Sequence, residues 1–448
     1  TKITDLNGVS SYYGYDTFGR LTQYRSPLDT DWTIKLYYYP SEANPVAITE
    51  RKATPIGINQ TAPTNNYFSS IFTDGMGQEM AAKKLFKKDN DTYYFANNSY
   101  QLKDSLGRVI KSILRDKVTS DTDVMANLKT LEEYTLTEDQ GILNYINYKY
   151  DEMDRPVQVI QNNVKTATGL QNLSTKTKYG FSTDRDGIVQ FSKKITSPLG
   201  NVSISYTNEK GQTTATKQIG DGIEQWVSYK YDLLDQLLEV KNQKGSKSIY
   251  AYDQLGRKIS ALNPDAGLST FEYDINNRII HSQNELLKAA NKKIDYFYHF
   301  NQLVKVQYPD HEVKYEFGVA GAQNYAAGRL IKQTDRTGTQ TFKYSLLGQV
   351  TENVRIIVAP NNDPKLFKTS FDYDKYNRIN KIIYPDREEI NYYYDNVGLL
   401  TSIYSKPPAE TDLVAIVSSI TYNHRDQMTE VTAGNGTKTQ YKYDPWSR

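Results

Sequence analysis

Cysteine is absent from the 448 residues. That excludes disulfides, thiolate metal sites and a cysteine nucleophile, but it assigns no compartment. Histidine is nearly absent too. The four are His281, His299, His311 and His424, and none pairs with another at the spacings that ligate metals, so they read as surface or turn residues. No apolar run approaches the roughly 18 residues that span a bilayer. An excess of one charge is also missing: 54 basic against 52 acidic residues leave a net +2, so nothing demands nucleic acid or an anionic membrane. No phosphate-cradling loop occurs, since Gly434-Asn435-Gly436-Thr437-Lys438-Thr439 lacks the spacing and reads as a turn. No Gly-x-Ser-x-Gly elbow occurs either. The neighbouring carboxylates Glu388-Glu389 and Glu132-Glu133 resemble a glycosidase pair, yet 52 acids produce such neighbours by composition alone. The residues argue for no enzyme activity, no cofactor and no metal.

Tyrosine is what the chain has in excess, 38 against 14 Phe and 3 Trp. Its apolar ring and polar tip suit a half-buried strand with one wet side. A mean hydropathy of −0.67 fits a sheet rich in surface and poor in aliphatic core.

Many of these tyrosines sit in one recurring phrase: tyrosine, an acid, two residues, glycine or asparagine, then usually arginine. The full copies are Tyr15-Asp16 to Gly19-Arg20, Tyr252-Asp253 to Gly256-Arg257, Tyr273-Asp274 to Arg278 and Tyr373-Asp374 to Arg378. Looser copies begin at Tyr150-Asp151 (ending at Arg155), Tyr231-Asp232, Tyr344-Ser345, Tyr394-Asp395, Tyr422-Asn423 and Tyr443-Asp444. The step from Tyr231 to Tyr252 is 21 residues and recurs from Tyr252 to Tyr273, Tyr373 to Tyr394 and Tyr422 to Tyr443. A fixed period of that size marks a repeat architecture, and stacked repeats form one body whatever their number.

Each phrase follows aromatics at every second position, such as Tyr250/Tyr252 and Tyr392/Tyr394, which places both rings on one face of a strand. Asp-x-x-Gly/Asn then supplies a tight turn, because the carboxylate accepts backbone amides and Gly or Asn tolerates positive φ. A second alternating run follows, closed by Asn263-Pro264-Asp265, Tyr308-Pro309-Asp310 or Tyr384-Pro385-Asp386. One period is therefore strand, turn, strand, turn.

Asp74 to Gln78, Asp104 to Arg108 and Asn208 to Gln212 keep the turn half alone, and the segments Tyr298–Gln302 and Tyr325–Arg329 read as shortened copies. Residues 40–66, with Pro40, Pro45, Pro55 and Pro63, read as an extended surface loop; 121–141 and 284–293 read as short peripheral helices. No linker divides the chain, so residues 1–448 read as one repeat body, more divergent over 30–145 and clearer over 146–448. The start at Thr1 and the stop on a repeat phrase read as cuts within a longer protein.

These phrases resemble the YD-repeat, or Rhs-repeat, family, which includes bacterial Rhs polymorphic toxins, the C components of insecticidal Tc toxins, and animal teneurins. The resemblance implies an all-β fold: tandem antiparallel hairpins in a sheet strip that spirals into part of a hollow shell. It implies a secreted or bacterial cell-surface protein whose shell encloses a C-terminal toxin or passenger. The implied partners are the protein's own missing terminal segments, that passenger and secretion machinery. A surface module that recognises glycans or proteins is the alternative. The family's self-cleavage site is expected downstream, since Asp444-Pro445-Trp446 lacks its Asp-Pro-Leu-Gly-Leu form. Tyr, Asp, Gly and Arg of the phrase are then expected to be structural, because a catalytic site is rarely copied many times in one chain.

Overall fold

A computed structural model describes the whole chain except residues 43, 53–65, 90–91, 115–117, 132–143, 167–168, 359–362, 396 and 444–448. Among the described residues the fold is all-β. Thirty-five strands belong to one antiparallel sheet, accompanied by two short helices. Pairing is chiefly between neighbours in sequence, as expected of a hairpin meander: Lys247–Tyr252 pairs with Lys258–Asn263, which pairs with Gly267–Tyr273, which pairs with Ile279–Gln283. No helix among the described residues is long and apolar enough to cross a membrane.

Packing groups the chain into two compact units, Thr1–Tyr145 with Glu316–Arg448, and Ile146–Tyr315. The first holds a hydrophobic core that composition did not announce. Val46, Ile48, Phe72, Ala81, Leu85, Phe95, Tyr100, Ile113, Leu128 and Leu131 form one buried cluster. Two expectations change here. Residues 46–51 are a strand, Val46–Arg51, whose Val46 and Ile48 point into that core, so the proline-flanked stretch is not a surface loop throughout. Pro55 and Pro63 lie outside the described residues. Helix Val124–Lys129 is also not peripheral, because it drives Leu128 into the same core.

Asp123 caps that helix, its Oδ1 accepting from the Met125 and Ala126 amides at 2.9 and 3.0 Å. At the other end stands Lys83, 1 % exposed. Its ammonium donates to the Asn127 carbonyl (2.9 Å), Asn127 Oδ1 (3.0 Å) and the Thr130 carbonyl (3.0 Å). A buried cation is tolerated because it serves the negative end of the helix and is hydrogen-bonded there.

The second unit, Ile146–Tyr315, has fewer fully buried side chains. Directly paired positions Ser192, Tyr206, Ala215 and Ser228 form a buried row across four strands. Tyr206 stacks on Trp226 at 5.5 Å. The second helix, Glu285–Ala289, is capped by Asn284 and buries none of its residues.

Candidate functional site

The repeat phrase builds one local device many times. In the 253–257 copy, the Asp253 amide donates to the Arg257 carbonyl and the Gly256 amide to the Asp253 carbonyl, each at 3.0 Å. Asp253 Oδ1 accepts the Leu255 and Arg257 amides at 2.9 Å, while Oδ2 takes Arg257 Nε at 2.7 Å. Gly256 holds φ +80°, and the ladder shifts register beside Tyr252. This is a hairpin turn closed by a bulge with a left-handed residue. Asp16/Arg20, Asp151/Arg155, Asp274/Arg278 and Asp374/Arg378 repeat the carboxylate–guanidinium pair within 2.8 Å. Gly19 holds the left-handed position in the first copy, and Asp154, Asn277 and Asn377 hold it in the others.

These bonds hold several turn carboxyls below the ordinary range. For Asp253 and Asp274 the largest cause is the arginine amide, opposed by partial desolvation and reinforced by the guanidinium. For Asp104 and Asp151 the guanidinium hydrogen bond comes first. Asp232 keeps only the amide bonds, to Leu234 and Gln236 at 2.9 Å, because glutamine stands where arginine would. Asp395 likewise accepts from backbone amides, among them Gly398 and Leu399 at 2.8 Å. Asp444 lies outside the described residues.

Tyrosine links one hairpin to the previous one. The ladder between Lys258–Asn263 and Gly267–Tyr273 begins at Ser260–Thr270, leaving the Lys258 carbonyl beyond it. Tyr273 Oη donates to that carbonyl at 2.8 Å. Tyr252 to Leu237 (3.0 Å), Tyr394 to Ile379 (2.8 Å) and Tyr443 to Met428 (2.8 Å) repeat the bond at the same 15-residue separation. Tyr231 and Tyr373 make it to Thr213 and Val350 over longer hairpins. The preceding arginine then lies over the tyrosine ring: Arg257 over Tyr273 at 5.0 Å, Arg278 over Tyr298 at 4.8 Å, Arg378 over Tyr394 at 4.5 Å. Arg257 Nη1 also reaches the next turn, at the Asp274 carbonyl (2.8 Å) and Asn277 Oδ1 (3.2 Å). Tyr15 ends the strand Ser10–Tyr15 half exposed, and Tyr150 ends Asn144–Tyr150.

The two shortened copies differ. Tyr298 keeps its bond to the Ile279 carbonyl at 3.0 Å although its turn has shrunk to Phe300-Asn301. Tyr325 does not end a strand. It sits at φ +51° in a loop where Gly318 and Ala327 make a parallel bridge, so this copy is not a hairpin. Among the described residues, the turns Asp5–Val9, Asp184–Ile188, Ser197–Asn201 and Asn242–Ser246 have the same hydrogen-bond form and were not expected from the repeat phrase. Each has glycine at its fourth position but no tyrosine before it, so Asp/Asn/Ser-x-x-Gly alone was the available signal.

The second unit also holds a groove of about 1020 Å³ along the turns that follow Gly169–Thr183, Val202–Thr207 and Ile223–Tyr231. Phe181 and Phe191 lie directly opposite each other across two strands, edge to face at 6.0 Å. Ile188, Leu233, Tyr229 and Lys210 join them in the lining. Arg185, in the first of those turns, donates to the Asn242 and Gln243 carbonyls at 2.7 and 3.1 Å.

The histidines meet ordinary partners. His281 bonds Asp295 at 2.5 Å, His311 bonds Asp310 at 2.7 Å and stacks on Tyr308, and His299 lies against Phe300. No group of three or more metal-ligating side chains occurs among the described residues. Glu388 accepts from the Ser405 hydroxyl and Glu389 faces Lys381 at 3.8 Å, while Glu132 and Glu133 lie outside the described residues.

Fold and turns together define a class: a long antiparallel sheet of tandem hairpins, each tied to the last by its turn. Solved structures of Tc toxin complexes share that architecture. The TcdB2-TccC3 structure superposes with a TM-score of 0.76 at 15% identity, over 100% of this chain and 25% of that one. A TcdB2-TccC3-Cdc42 structure gives 0.75 at 13% identity over 99% and 27%. The Tc holotoxin pore of Photorhabdus luminescens, with a mutated TccC3, gives 0.74 at 13% over 100% and 28%. The chain thus spans about a quarter of the length of these structural neighbours. No family model matches the chain, and no curated protein matches its sequence. At such identities the likeness is one of fold.

Proposed function

We propose that the chain is part of the repeat shell of a secreted bacterial toxin component of the YD-repeat kind. It acts as a container without catalysis of its own, sequestering a C-terminal toxin or passenger until delivery. The observation that carries this reading is the superposition of the whole chain on Tc toxin complexes at a TM-score of 0.76. The use of the repeat phrase supports it: tyrosine, aspartate and arginine are engaged with the backbone or with one another, as joints require. Its partners in this reading are the adjoining segments of its own protein, the passenger and secretion machinery; nucleic acid is not among them. The test is proteolysis of the parent-length protein with its C-terminal segment in place. A passenger that survives while an isolated copy is digested supports the container, and a passenger digested equally fast in both forms overturns it.

A recognition module for cell-surface glycans or proteins is the second reading. The groove floored by Phe181 and Phe191 favours it, because exposed aromatics beside polar groups can stack sugars. Glycan-array binding that is lost in Phe181→Ala would support this reading over a container alone.

A further inference from the structure

Charge is balanced over the whole chain, but the pairing register of the second unit concentrates one sign of it. Strand Gly169–Thr183 pairs with Val189–Thr196 so that Lys178 stands directly opposite Lys194, and Lys176 opposite Thr196. Opposed residues share a face, as do residues two apart on one strand, so all three lysines lie on one side of the sheet. Lys149 extends the group two strands away, since it is opposite Gln158 and Gln158 is opposite Lys176. All four lysines are exposed. Like charges directly opposite each other destabilise an antiparallel pair. Two other opposed lysine pairs in this unit resolve that conflict with acids. Lys305 and Lys314 share Glu312, while Lys241 meets Asp186 at 3.8 Å and Lys247 meets Glu239 at 3.1 Å. Among the described residues, Lys149, Lys176, Lys178 and Lys194 form no ion pair.

Lys176, Lys178 and Lys194 rim a recess of about 490 Å³. Gln158 and Thr196 add uncharged polar groups between the cations, and the lining holds neither a carboxylate nor an aromatic ring. The row through Lys178 and Lys194 continues across the sheet as Ile204, Lys217 and Trp226. That ring is taken: Trp226 stacks on Tyr206 at 5.5 Å and lies under Lys217 at 5.0 Å. Single-stranded nucleic acid draws much of its affinity from bases stacked on free rings, which this recess does not offer. An extended polypeptide needs none. Its same-side residues recur at about 6.8 Å, which is also the spacing of Lys176 and Lys178 along their strand.

We propose that this lysine patch docks an acidic polypeptide segment in extended conformation. Carboxylates on alternate residues of the segment meet Lys176 and Lys178, and Lys194 closes on the second of them from the facing strand. The bound carboxylate then relieves the opposed pair Lys178/Lys194 as Glu312 relieves Lys305/Lys314. Charge complementarity carries the choice of partner: cations without an acid of their own stand at the repeat of an extended chain, around a recess without rings. The inference goes beyond the container reading and stands whichever function the fold serves.

The test uses the whole chain and a labelled octapeptide alternating glutamate and threonine, read by fluorescence anisotropy at low ionic strength. Binding is expected that added salt weakens and that a glutamine–threonine octapeptide does not show. Lys178→Gln combined with Lys194→Gln should weaken it by about fivefold or more. Lys247→Gln, at a lysine already held by Glu239, should leave it unchanged. Lys194→Gln alone also removes the like-charge pair, so that variant should melt no lower than the parent while binding the peptide more weakly. This separates loss of the site from loss of the fold. No binding of the glutamate peptide overturns the proposal, as does equal binding of the glutamine peptide or binding that survives the double substitution. A melting temperature lowered by Lys194→Gln makes the lysine pair structural and overturns it too. Tighter binding of an oligothymidylate or an acidic oligosaccharide of equal length assigns the patch to that class of anion instead.

Discussion

The two ends of the range from packed core to jointed sheet lie in one chain. Around Phe72 and Phe95 the first unit is held by burial: both rings are fully enclosed, a helix is drawn in, and even a lysine is sealed beneath it. Over Tyr231–Gln307 the second unit is held by joints, in which half-buried strands are tied at the 253–257 and 274–278 turns by a carboxylate, a guanidinium and a tyrosine hydroxyl. The difference teaches what the repeat phrase is for. Beside the buried cluster, Asp74 and Thr73 make the turn without tyrosine, and Lys103 replaces the arginine at Asp74. The full phrase stands at 252–257 and 273–278, away from that core.

The largest effect that sharpens this contrast is expected from Phe95→Ala. Emptying a fully buried aromatic site should destabilise the first unit by about 4 kcal/mol. Hydrogen exchange resolved by peptide would check it, with protection lost across Glu79–Asp89 and Val109–Leu114 and retained over Tyr231–Gln307. Gly256→Val tests the jointed region. At φ +80° a β-branched residue should cost about 1 kcal/mol or more, whereas Gly256→Asn should cost only a few tenths, since Asn277 and Asn377 hold the same conformation. Equal melting temperatures for the two variants would break the turn assignment. The smallest expected effect concerns acid. Asp151, Asp253 and Asp274 are held below their ordinary 3.8, so their contribution is full above that value and fades as pH falls through the lowered ones. Asp253→Asn with Asp274→Asn should therefore flatten the acid limb of a stability–pH curve.

The hairpins were legible because their chemistry is local. A carboxylate that caps amides two and four residues on, and a glycine or asparagine at positive φ, are written within six positions. Asp154, Asp235 and Asp426 blur that signal by taking the left-handed position themselves. What stayed hidden depends on distance. Lys83 reads as one of two adjacent exposed lysines until Asn127 and Thr130, more than 40 residues on, arrive to cap it. Val46 and Ile48 read as part of a proline-flanked loop because the core that claims them comes from later strands. The bond from Arg51 to the Val397 carbonyl has no local signature at all. The groove at Phe181 was also unseen, since Phe181 and Phe191 look like ordinary period-two aromatics until pairing sets them opposite each other, edge to face.

The claim that the phrase is a joint between hairpins is tested most directly by a double-mutant cycle on Arg257→Met and Tyr273→Leu, read as unfolding free energy of the second unit. The two side chains sit in successive hairpins, 5.0 Å apart from guanidinium to ring centre. A coupling of about 0.5–1 kcal/mol is expected between them. Strictly additive effects would mean that each residue serves only its own turn, and would contradict it.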